Sequence, residues 1–396
     1  MRILHVAYIY PPELKVADGI TNVVYNVTKQ LAKRGHKVEV YTSNLSNLHS
    51  RELMPSGLHI INGVDVFYFR SLLKYKTFTL TPSIIPTIIR NAKNFDVIHV
   101  HDARSFQGVS AYLTNKIKNI PYVFQPHGSY LTYLPEPFNV KILKNTLDKL
   151  ISNRIFKNAS KIIALNRFEA EQYRAVGVSE EKIAIIPNGI DLAEYANLPA
   201  KGLFKRKFGI SEEKKIILYL GRIHRTKGIN LLIKAYAYLV KKTGYKDAIL
   251  VIAGPDDGYL NEAKTLAKSL NIHDSVIFTG FISKEDKLKA LVDAEVFVTP
   301  SFYGFPMTFL EACVTGTPIV TTNLGDILEW INNKVGYVAK PIPYDIAKAI
   351  HNIISDEELY RKFSENCINI VKSYFSIENV VSMLEKVYEN VLEGGA

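Results

Sequence analysis

Two basic side chains frame a short turn in the second half of the chain. In LGRIHRTKGINLLIKAYA, Arg222 and Lys227 follow an apolar run, and Gly228 precedes a helical pattern. A turn that leads from a parallel strand into a helix can hold an anion, because backbone N–H groups at the helix N-terminus point toward it. An arginine fork and a lysine charge suit a diphosphate. The pattern predicts an anion site, with ordinary solvated charges as the alternative.

One acidic residue lies within an apolar helical segment. Residues 300–318 read PSFYGFPMTFLEACVTGTP, and the predicted helix Met307–Thr315 ends at Gly316, a typical C-cap. A helix that is apolar on nearly every side is buried, and a buried carboxylate is costly unless it is hydrogen-bonded. Glu311 is therefore bonded to nearby backbone N–H groups or a basic side chain, or it accepts hydrogen bonds from a polyhydroxyl ligand such as a ribose. Both interpretations stay open.

Histidines follow two predicted strands of the first half. His127 lies in PYVFQPHGSYL, and His101 precedes Asp102 in DVIHVHDARS. A histidine at the carboxyl end of a strand can position a hydroxyl group or exchange a proton near neutral pH. A structural role in the core is the alternative for both residues.

The turn after the first strand contains Gly19 at the start of a helical pattern. A glycine there lets backbone N–H groups approach a phosphate, although an ordinary turn explains it equally well. The fingerprint GxGxxG is absent, which counts against a nicotinamide enzyme, and no GxxxxGK[ST], HExxH or GxSxG occurs.

Alternating strands and helices must position these residues. Such alternation predicts α/β layers with parallel sheets, whose ligands bind beyond the carboxyl ends of the strands. The predicted strands of the first half are Ile3–Ile9, Val38–Tyr41, Val64–Tyr68, Val97–Val100, Tyr122–Gln125, Lys161–Leu165 and Ile183–Ile186. Those of the second half are Ile216–Tyr219, Ala248–Ala253, Val276–Thr279, Val296–Thr299 and Pro318–Thr321. The clearest helices are Ile20–Lys33, Ile233–Lys241, Asn261–Ser269, Lys284–Ala290 and the amphipathic Ser376–Leu392.

A turn and a polar stretch in IPNGIDLAEYANLPAK mark the join between two domains. We predict a first domain of residues 1–193, to which 374–396 return, and a second of residues 194–373. The 396 residues are 47% hydrophobic, which is enough for two cores. No stretch reaches the about 20 apolar residues that a membrane span needs. Only two cysteines occur, Cys313 and Cys367, and the start lacks a signal-peptide pattern, so we expect a cytosolic protein.

The net charge of +11 suggests an anionic partner. Residues 66–135 contain eight basic and two acidic residues, a net +6, interleaved with apolar residues. This mixture can bind an anionic membrane surface, or it is a solvated face beside ordinary core. The sequence lacks a compact element of basic and aromatic residues for reading nucleic acid, so we expect no nucleic-acid partner.

These motifs together resemble a known family. The order RGHKVEVYT, PHG, IPNGID, GRIHRTKGINLLIKA, GFIS and GFPMTFLEACVTGTPIV is similar to that of the retaining GT-B glycosyltransferases of family 4, also described as glycosyl transferases group 1. The similarity extends over nearly the whole chain and is most specific in the second half. It implies two doubly wound Rossmann-like domains that face a central cleft, an acceptor-side domain and a donor-binding domain, with the closing helix crossing back to the first.

The resemblance also implies roles for individual residues. Arg222 and Lys227 match the pair that holds the donor diphosphate, and His127 matches a histidine near the reacting sugar. Glu311 matches the acid that bonds the nucleotide ribose. Gly19 matches the glycine loop on the phosphate side. The remaining donor-binding positions are Phe281, Ile282, Tyr303, Gly304, Phe305, Pro306, Met307 and Thr308. Members of this family use a nucleotide-diphosphate sugar as substrate and need no cofactor and no metal.

One departure concerns the donor sugar. The family motif has a second acid eight residues before Glu311, where this chain has Tyr303, and Pro306 replaces a frequent glycine. Our leading hypothesis is a metal-independent, retaining hexosyltransferase that uses a UDP- or GDP-sugar. The alternative is a catalytically degenerate nucleotide-sugar-binding or scaffold protein of the same fold. For the acceptor we expect a lipid-linked or cell-surface glycan, reached through residues 66–135 at the inner face of the cell membrane.

Overall fold

The structure is a computed structural model that describes residues 1–10, 19–46, 53–75, 78–102, 105–129, 151–242, 244–301, 305–322 and 329–394. The chain divides into two compact units. One contains Met1–Gly189 and Ile377–Ala396, and the other contains Ile190–Ser376. The division after Gly189 falls within the segment where the sequence marks a join, slightly before residue 193.

The first unit is built on an eight-stranded sheet. Its strands, in the order β10-β9-β8-β7-β1-β2-β4-β3, pair in parallel except for the antiparallel pair β3–β4. They are β1 (Arg2–Val6), β2 (Lys37–Ser43), β3 (Gly57–Ile61), β4 (Val64–Phe69), β7 (Val97–His101), β8 (Tyr122–Gln125), β9 (Lys161–Ala164) and β10 (Ile183–Ile185), while β5 (Leu73–Tyr75) and β6 (Phe78–Leu80) form a separate hairpin. The helices of this part are α1 (Gly19–Lys33), α2 (Ile84–Asn91), α3 (Phe106–Lys118), α4 (Asn153–Asn158) and α5 (Arg167–Ala175).

The second unit has a six-stranded sheet whose described pairs are all parallel. Its order is β13-β12-β11-β14-β15-β16, with β11 (Lys215–Leu220), β12 (Ala248–Ala253), β13 (Val276–Gly280), β14 (Ala294–Thr299), β15 (Ile319–Thr322) and β16 (Gly336–Ala339). Its helices are α6 (Leu203–Lys207), α7 (Ile229–Lys242), α8 (Leu260–Ser269), α9 (Lys284–Asp293), α10 (Met307–Val314), α11 (Pro343–Ser355) and α12 (Glu357–Ile370).

The order of this sheet reverses at β11. β12 lies on one side of β11, and β14 lies on its other side. In a doubly wound sheet, the turns at such a switch point diverge and leave room for a ligand beyond the carboxyl ends of the strands. The turn that contains Arg222 and Lys227 directly follows β11, so the fold places the basic pair at this point.

The closing helix α13 (Ile377–Glu393) belongs to the first unit, as the family resemblance implies. Val380, Leu384 and Tyr388 are buried. Glu385 accepts from Arg34 Nη1 at 2.6 Å and lies 2.8 Å from His36 Nε2. Apolar burial and a partly shielded charge cluster therefore attach the C-terminal helix to α1 and the residues that follow it.

The structure corrects several sequence-based predictions. The first strand ends at Val6 rather than Ile9, and the strands β3, β5, β6 and β16 were not predicted. β3 is an edge strand on which Leu58 and Ile60 are both exposed, so it lacks the buried face that gives a strand its alternating pattern. Among the described residues, no helix is both long enough and apolar enough to cross a membrane.

Candidate active site

Two glycines bring the turns after β11 and β12 into close contact. Gly221 has a φ of 155° and Gly254 a φ of 149°. A Cβ atom at Gly254 would lie 1.9 Å from the backbone oxygen of Gly221. Only glycine allows the two backbones to approach this closely, so the geometry of the turn that contains Arg222 depends on Gly254.

We expect Gly254→Ala to lower the free energy of unfolding by about 3 kcal/mol or more, because a backbone atom cannot move away as a side chain can. Urea unfolding measures the change. Gly258→Ala is the matched control: Gly258 lies in the same turn with a φ of 82°, and nothing lies within 4 Å of an added Cβ. We expect it to cost about 1 kcal/mol. Equal losses for the two variants would contradict the role given to the close contact.

Arg222 is exposed and pairs with an acid from the next turn. Its Nη1 lies 2.5 Å from Asp257 Oδ2, and Asp257 follows β12. Its backbone oxygen accepts from the Tyr219 hydroxyl at 3.0 Å. Asp257 therefore orients the guanidinium group at the carboxyl edge of the sheet, while much of that group stays accessible. Sequence reasoning did not identify Asp257.

Lys227 is half-buried at the end of a 3₁₀ turn, Arg225–Lys227. Burial lowers the pKa of Lys227, and the positive charge of Arg222 lowers it further. Two cations that repel each other within one turn create a local positive potential, which an anion would relieve. The structure thus brings together the two basic residues that the sequence singled out.

Gly228 connects this turn to the next part of the site. Its φ of 69° is left-handed, and a Cβ atom here would lie 3.0 Å from Pro300 Cβ and 3.2 Å from Ser301 Cβ. Helix α7 begins directly after Gly228. The turn after β11 therefore packs against the start of the segment that leads from β14 to α10.

Glu311 is buried on α10 and forms an ion pair. Its Oε1 lies 2.5 Å from Lys287 Nζ on α9. The Tyr195 hydroxyl group also bonds to Glu311. Burial is the largest cause that raises the pKa of Tyr195, and it is raised further by the charges of Glu311 and Glu194 and by the hydrogen bond to Glu311. A basic side chain and a hydroxyl group thus explain how an apolar helix accommodates this carboxylate, in agreement with the first interpretation of Glu311.

The remaining predicted donor-binding residues range from buried to exposed. Phe305 is buried against Phe375 and Trp330, with ring centroids 5.5 Å and 6.0 Å apart, so its side chain serves the core. Pro306, Met307 and Thr308 lead into the first turn of α10 and are half-buried. The side chain of Phe281 is 68% exposed after β13, and Ile282 is half-buried. Tyr303 and Gly304 lie outside the described residues.

In the first unit, Gly19 is the first residue of α1, and nothing lies within 4 Å of a Cβ atom added there. No atom of the described residues would therefore clash with a larger side chain at this position.

His127 lies in a turn directly beyond β8. Its φ of 54° is left-handed, and Gly128 follows with a φ of 75°. The N–H of Gly128 donates to Glu169 Oε1 at 2.6 Å, and the N–H of Leu165 donates to Glu169 Oε2 at 2.6 Å. Glu169 therefore fixes the backbone of the turn that contains His127. Burial raises the pKa of Glu169, which these hydrogen bonds oppose.

Sequence reasoning did not identify Glu169. Its backbone N–H donates to the side chain of Asn166, the N-cap residue of α5, at 2.8 Å. The pattern Asn-x-x-Glu marks such a cap in a sequence, but it does not reveal that the carboxylate reaches a turn 41 residues earlier.

Three histidines lie close together beneath this turn, next to His127. His5, His99 and His101 are fully buried, and His101 Nδ1 lies 2.9 Å from His127 Nε2. Burial lowers the pKa of His5 and of His127 to about 3 and lowers those of His99 and His101 well below 6.5. All four imidazoles are therefore neutral at pH 7, so His127 acts there as an uncharged group.

The chain is similar to known protein families along most of its length. The model of the family described as Glycosyl transferases group 1 matches residues 201–369, and that of Glycosyltransferase Family 4 matches residues 17–194. The first match contains Arg222, Lys227 and Glu311, and the second contains Gly19 and His127.

Individual proteins support the same assignment. An uncharacterized glycosyltransferase of Methanocaldococcus jannaschii is 27% identical over 99% of both chains. An alpha-monoglucosyldiacylglycerol synthase of Streptococcus pneumoniae is 25% identical, over 84% of this chain and 74% of its own. The crystal structure of Anabaena HepE in complex with UDP-glucose aligns with a TM-score of 0.74 and 18% identity, over 98% of this chain and all of HepE.

Proposed function

Because the chain belongs to the GT-B glycosyltransferases of the group 1 and family 4 type, we propose that it is a retaining hexosyltransferase. It transfers the hexosyl group from a UDP- or GDP-sugar to a hydroxyl acceptor. The observation that carries the proposal is the basic pair at the switch point of the second sheet. Arg222 and Lys227 lie in one turn, close enough for the charge of Arg222 to lower the pKa of Lys227.

In the proposed reaction, the bond between the anomeric carbon and the diphosphate oxygen breaks, and its electron pair stays on the diphosphate. Arg222 and Lys227 stabilise the negative charge that develops there. The acceptor hydroxyl attacks the face from which the diphosphate leaves, so the anomeric configuration is retained. The two side chains supply the electrostatic stabilisation that a metal ion supplies in other transferases. We therefore expect the rate to be unchanged when a chelator is added.

The other residues are assigned to the rest of the donor. Glu311 keeps its ion pair with Lys287 and uses its remaining lone pairs to accept from the ribose hydroxyls. The backbone at Phe281 and Ile282 lies beside the base. We assign Phe305, Pro306, Met307 and Thr308 to the diphosphate and the sugar, with Phe305 contributing through its backbone because its side chain is in the core. Tyr303 and Gly304 keep the assignment that the resemblance implies. The resemblance assigns Gly19 to the phosphate side of the donor and His127 to its sugar.

A panel of UDP- and GDP-sugars tests the proposal. The structural similarity to HepE, solved with UDP-glucose, makes UDP-glucose the first donor to try. We expect one donor to raise the thermal unfolding temperature and to undergo slow hydrolysis without acceptor. Stabilisation with no turnover over a broad acceptor panel would favour the degenerate binding protein. The replacement of an acid by Tyr303 motivates that alternative.

For the acceptor, we propose a lipid-linked or cell-surface glycan and peripheral attachment to the inner face of the cell membrane. The alpha-monoglucosyldiacylglycerol synthase among the relatives supports a membrane-associated acceptor by its name. Within residues 66–135, Leu72 and Leu73 are 63% and 55% exposed beside the exposed Arg70. Ile84 and Ile88 of the same stretch are fully buried, so only part of it can meet a membrane.

We expect salt-sensitive binding to vesicles that contain anionic lipid, because exposed charges act only over about 10 Å at 0.1 M salt. Co-sedimentation at low and high salt measures it. Replacing Leu72 and Leu73 with serine should weaken binding. The control is Ile185→Ser on β10, an edge strand of the eight-stranded sheet, where the side chain is 44% exposed. An absence of binding at low salt would count against membrane attachment.

A further inference from the structure

The Glu311 carboxylate accepts from two side chains that come from different parts of the second unit. Lys287 Nζ on α9 lies 2.5 Å from Glu311 Oε1, and the Tyr195 hydroxyl group bonds to the same carboxylate. Burial, and then the charge of Glu311, raise the pKa of Tyr195, so its hydroxyl group is protonated at pH 7 and donates. An ammonium group and a phenol therefore hold one buried carboxylate.

The fold keeps Tyr195 next to this carboxylate through a second ion pair. Tyr195 is the last residue of the 3₁₀ turn Leu192–Tyr195, and its neighbour Glu194 has Oε2 at 2.6 Å from Lys284 Nζ. Residues three apart on a helix share one face, so Lys284 and Lys287 project from the same face of α9. One lysine of this face therefore binds the turn, and the other binds the carboxylate that the turn contacts.

These groups lie near the carboxyl edge of the second sheet. Helix α9 begins shortly after β13 ends at Gly280, and Lys287 is in its first turn. Helix α10 follows β14, and Glu311 is in its second turn. Parallel α/β sheets bind ligands at this edge. The side chain of Lys287 is 30% exposed and that of Glu311 is 10% exposed, so a ligand can approach the carboxylate beside Lys287.

The carboxylate has the capacity for two further hydrogen bonds. An ionised carboxylate offers about four lone-pair sites. Among the described residues, Lys287 and Tyr195 occupy two of these sites, which leaves two. The neighbouring 2′- and 3′-hydroxyls of a ribose are two donors on adjacent carbon atoms, whereas a deoxyribose has only one of them. A carboxylate held in this way therefore matches a ribose better than a deoxyribose.

We propose that Lys287 and Tyr195 are positioning residues, which hold Glu311 so that it accepts from both ribose hydroxyls and makes the site selective for ribonucleotides. The inference rests on the proposed function for the presence of a nucleoside diphosphate, and it adds two residues and a selectivity to that function. Lys287 compensates the charge of the carboxylate, as its buried position requires. Tyr195 adds a second fixed bond, which restricts the rotation of the carboxylate.

A purely structural role is the competing interpretation of these contacts. A buried carboxylate needs donors in any protein, and Lys287 and Tyr195 supply them whether or not a ligand binds. In that case the removal of either donor lowers the free energy of unfolding but changes no preference between ligands. The preference for ribose over dideoxyribose is therefore the measurement that separates the two roles.

Calorimetric titration with UDP, GDP and the 2′,3′-dideoxy form of each nucleotide measures the ribose preference as a ratio of dissociation constants. We expect the wild-type protein to bind UDP or GDP about 100-fold more tightly than its dideoxy form, for two hydrogen bonds to a charged group. Tyr195→Phe should reduce this ratio about threefold and Lys287→Gln about tenfold, because the carboxylate is less firmly held. Lys287→Arg, which keeps the charge and its donors, should stay within about threefold of the wild-type ratio.

Lys289→Gln is the matched control. Lys289 is also on α9, and its Nζ lies 2.6 Å from Glu285 Oε1. We expect this variant to leave the ribose preference unchanged. Unfolding curves for every variant show whether the fold is intact, and Tyr195→Phe, which removes a single oxygen atom, still tests the inference if Lys287→Gln does not fold.

An unchanged ribose preference in folded Tyr195→Phe and Lys287→Gln proteins would overturn the inference and leave the proposed function intact. Equal binding of a nucleotide and its dideoxy form by the wild-type protein would overturn it as well. If neither UDP nor GDP binds, the proposed function itself fails, and the inference fails with it.

Discussion

Replacing Lys227 with alanine is expected to lower kcat by roughly 100-fold, the effect of removing one well-placed electrostatic stabiliser of a transition state. Burial and the charge of Arg222 already lower the pKa of Lys227, so an anion bound in this turn gains from both charges. The fold should persist, because the side chain is at the carboxyl edge of the sheet and not in the core. Steady-state kinetics at saturating donor measure kcat, and thermal unfolding verifies the fold.

Arg225→Ala is the matched control, since Arg225 is an exposed cation two residues away in the same 3₁₀ turn. We expect it to change kcat by less than about twofold, as for other solvent-exposed charges. Arg222→Ala should lower kcat by more than about tenfold. A near-normal rate for Lys227→Ala, with the fold intact, would refute the assigned role of the pair.

Lowering the pH from 6.5 to 5.5 is expected to destabilise the protein by about 2 kcal/mol through His5 and His127 alone. Burial lowers the pKa of each from 6.5 to about 3 in the folded protein. Below pH 6.5 the unfolded chain therefore binds protons that the folded chain does not, and stability falls as the pH falls toward 3. His99 and His101 act in the same direction. Glu169, whose pKa is raised, acts in the opposite direction and reduces the slope.

Urea unfolding at pH 7.5, 6.5 and 5.5 measures this dependence. His5→Gln should reduce the loss of stability between pH 6.5 and 5.5 by about 1 kcal/mol, because an unfolded histidine is already half protonated at pH 6.5. A free energy of unfolding that stays constant from pH 6.5 to 5.5 would contradict the lowered pKa of His5 and His127 in the folded protein.

The donor-side turn could be predicted from the sequence because its signals are local. An apolar run, two basic residues and a glycine before a helix are adjacent in the chain, and the resemblance to family 4 rests on such contiguous motifs. The prediction that the chain is a GT-B glycosyltransferase is confirmed by the family matches and by the fold. The edge strand β3 could not be predicted, because Leu58 and Ile60 are exposed and the strand shows no alternating pattern. The strands β5 and β6 have three residues each, which is too few to show a period.

The partners of the site residues are not visible in the sequence. Asp257 follows Arg222 by 35 positions, and Lys287 precedes Glu311 by 24. The cluster of His5, His99, His101 and His127 forms because β1 lies beside β7 in the sheet, although the two strands are far apart in the sequence. Only the sheet topology specifies this neighbour. The carboxylates and histidines of these sites form hydrogen bonds and ion pairs with residues that are distant in the sequence. The type of a residue does not reveal which distant residue its partner is.

A crystal structure of the protein soaked with its nucleotide-sugar donor tests the role of the basic pair most directly. We expect diphosphate oxygens within hydrogen-bond distance of both the Arg222 guanidinium group and Lys227 Nζ. A donor bound with its diphosphate away from these two side chains would contradict it.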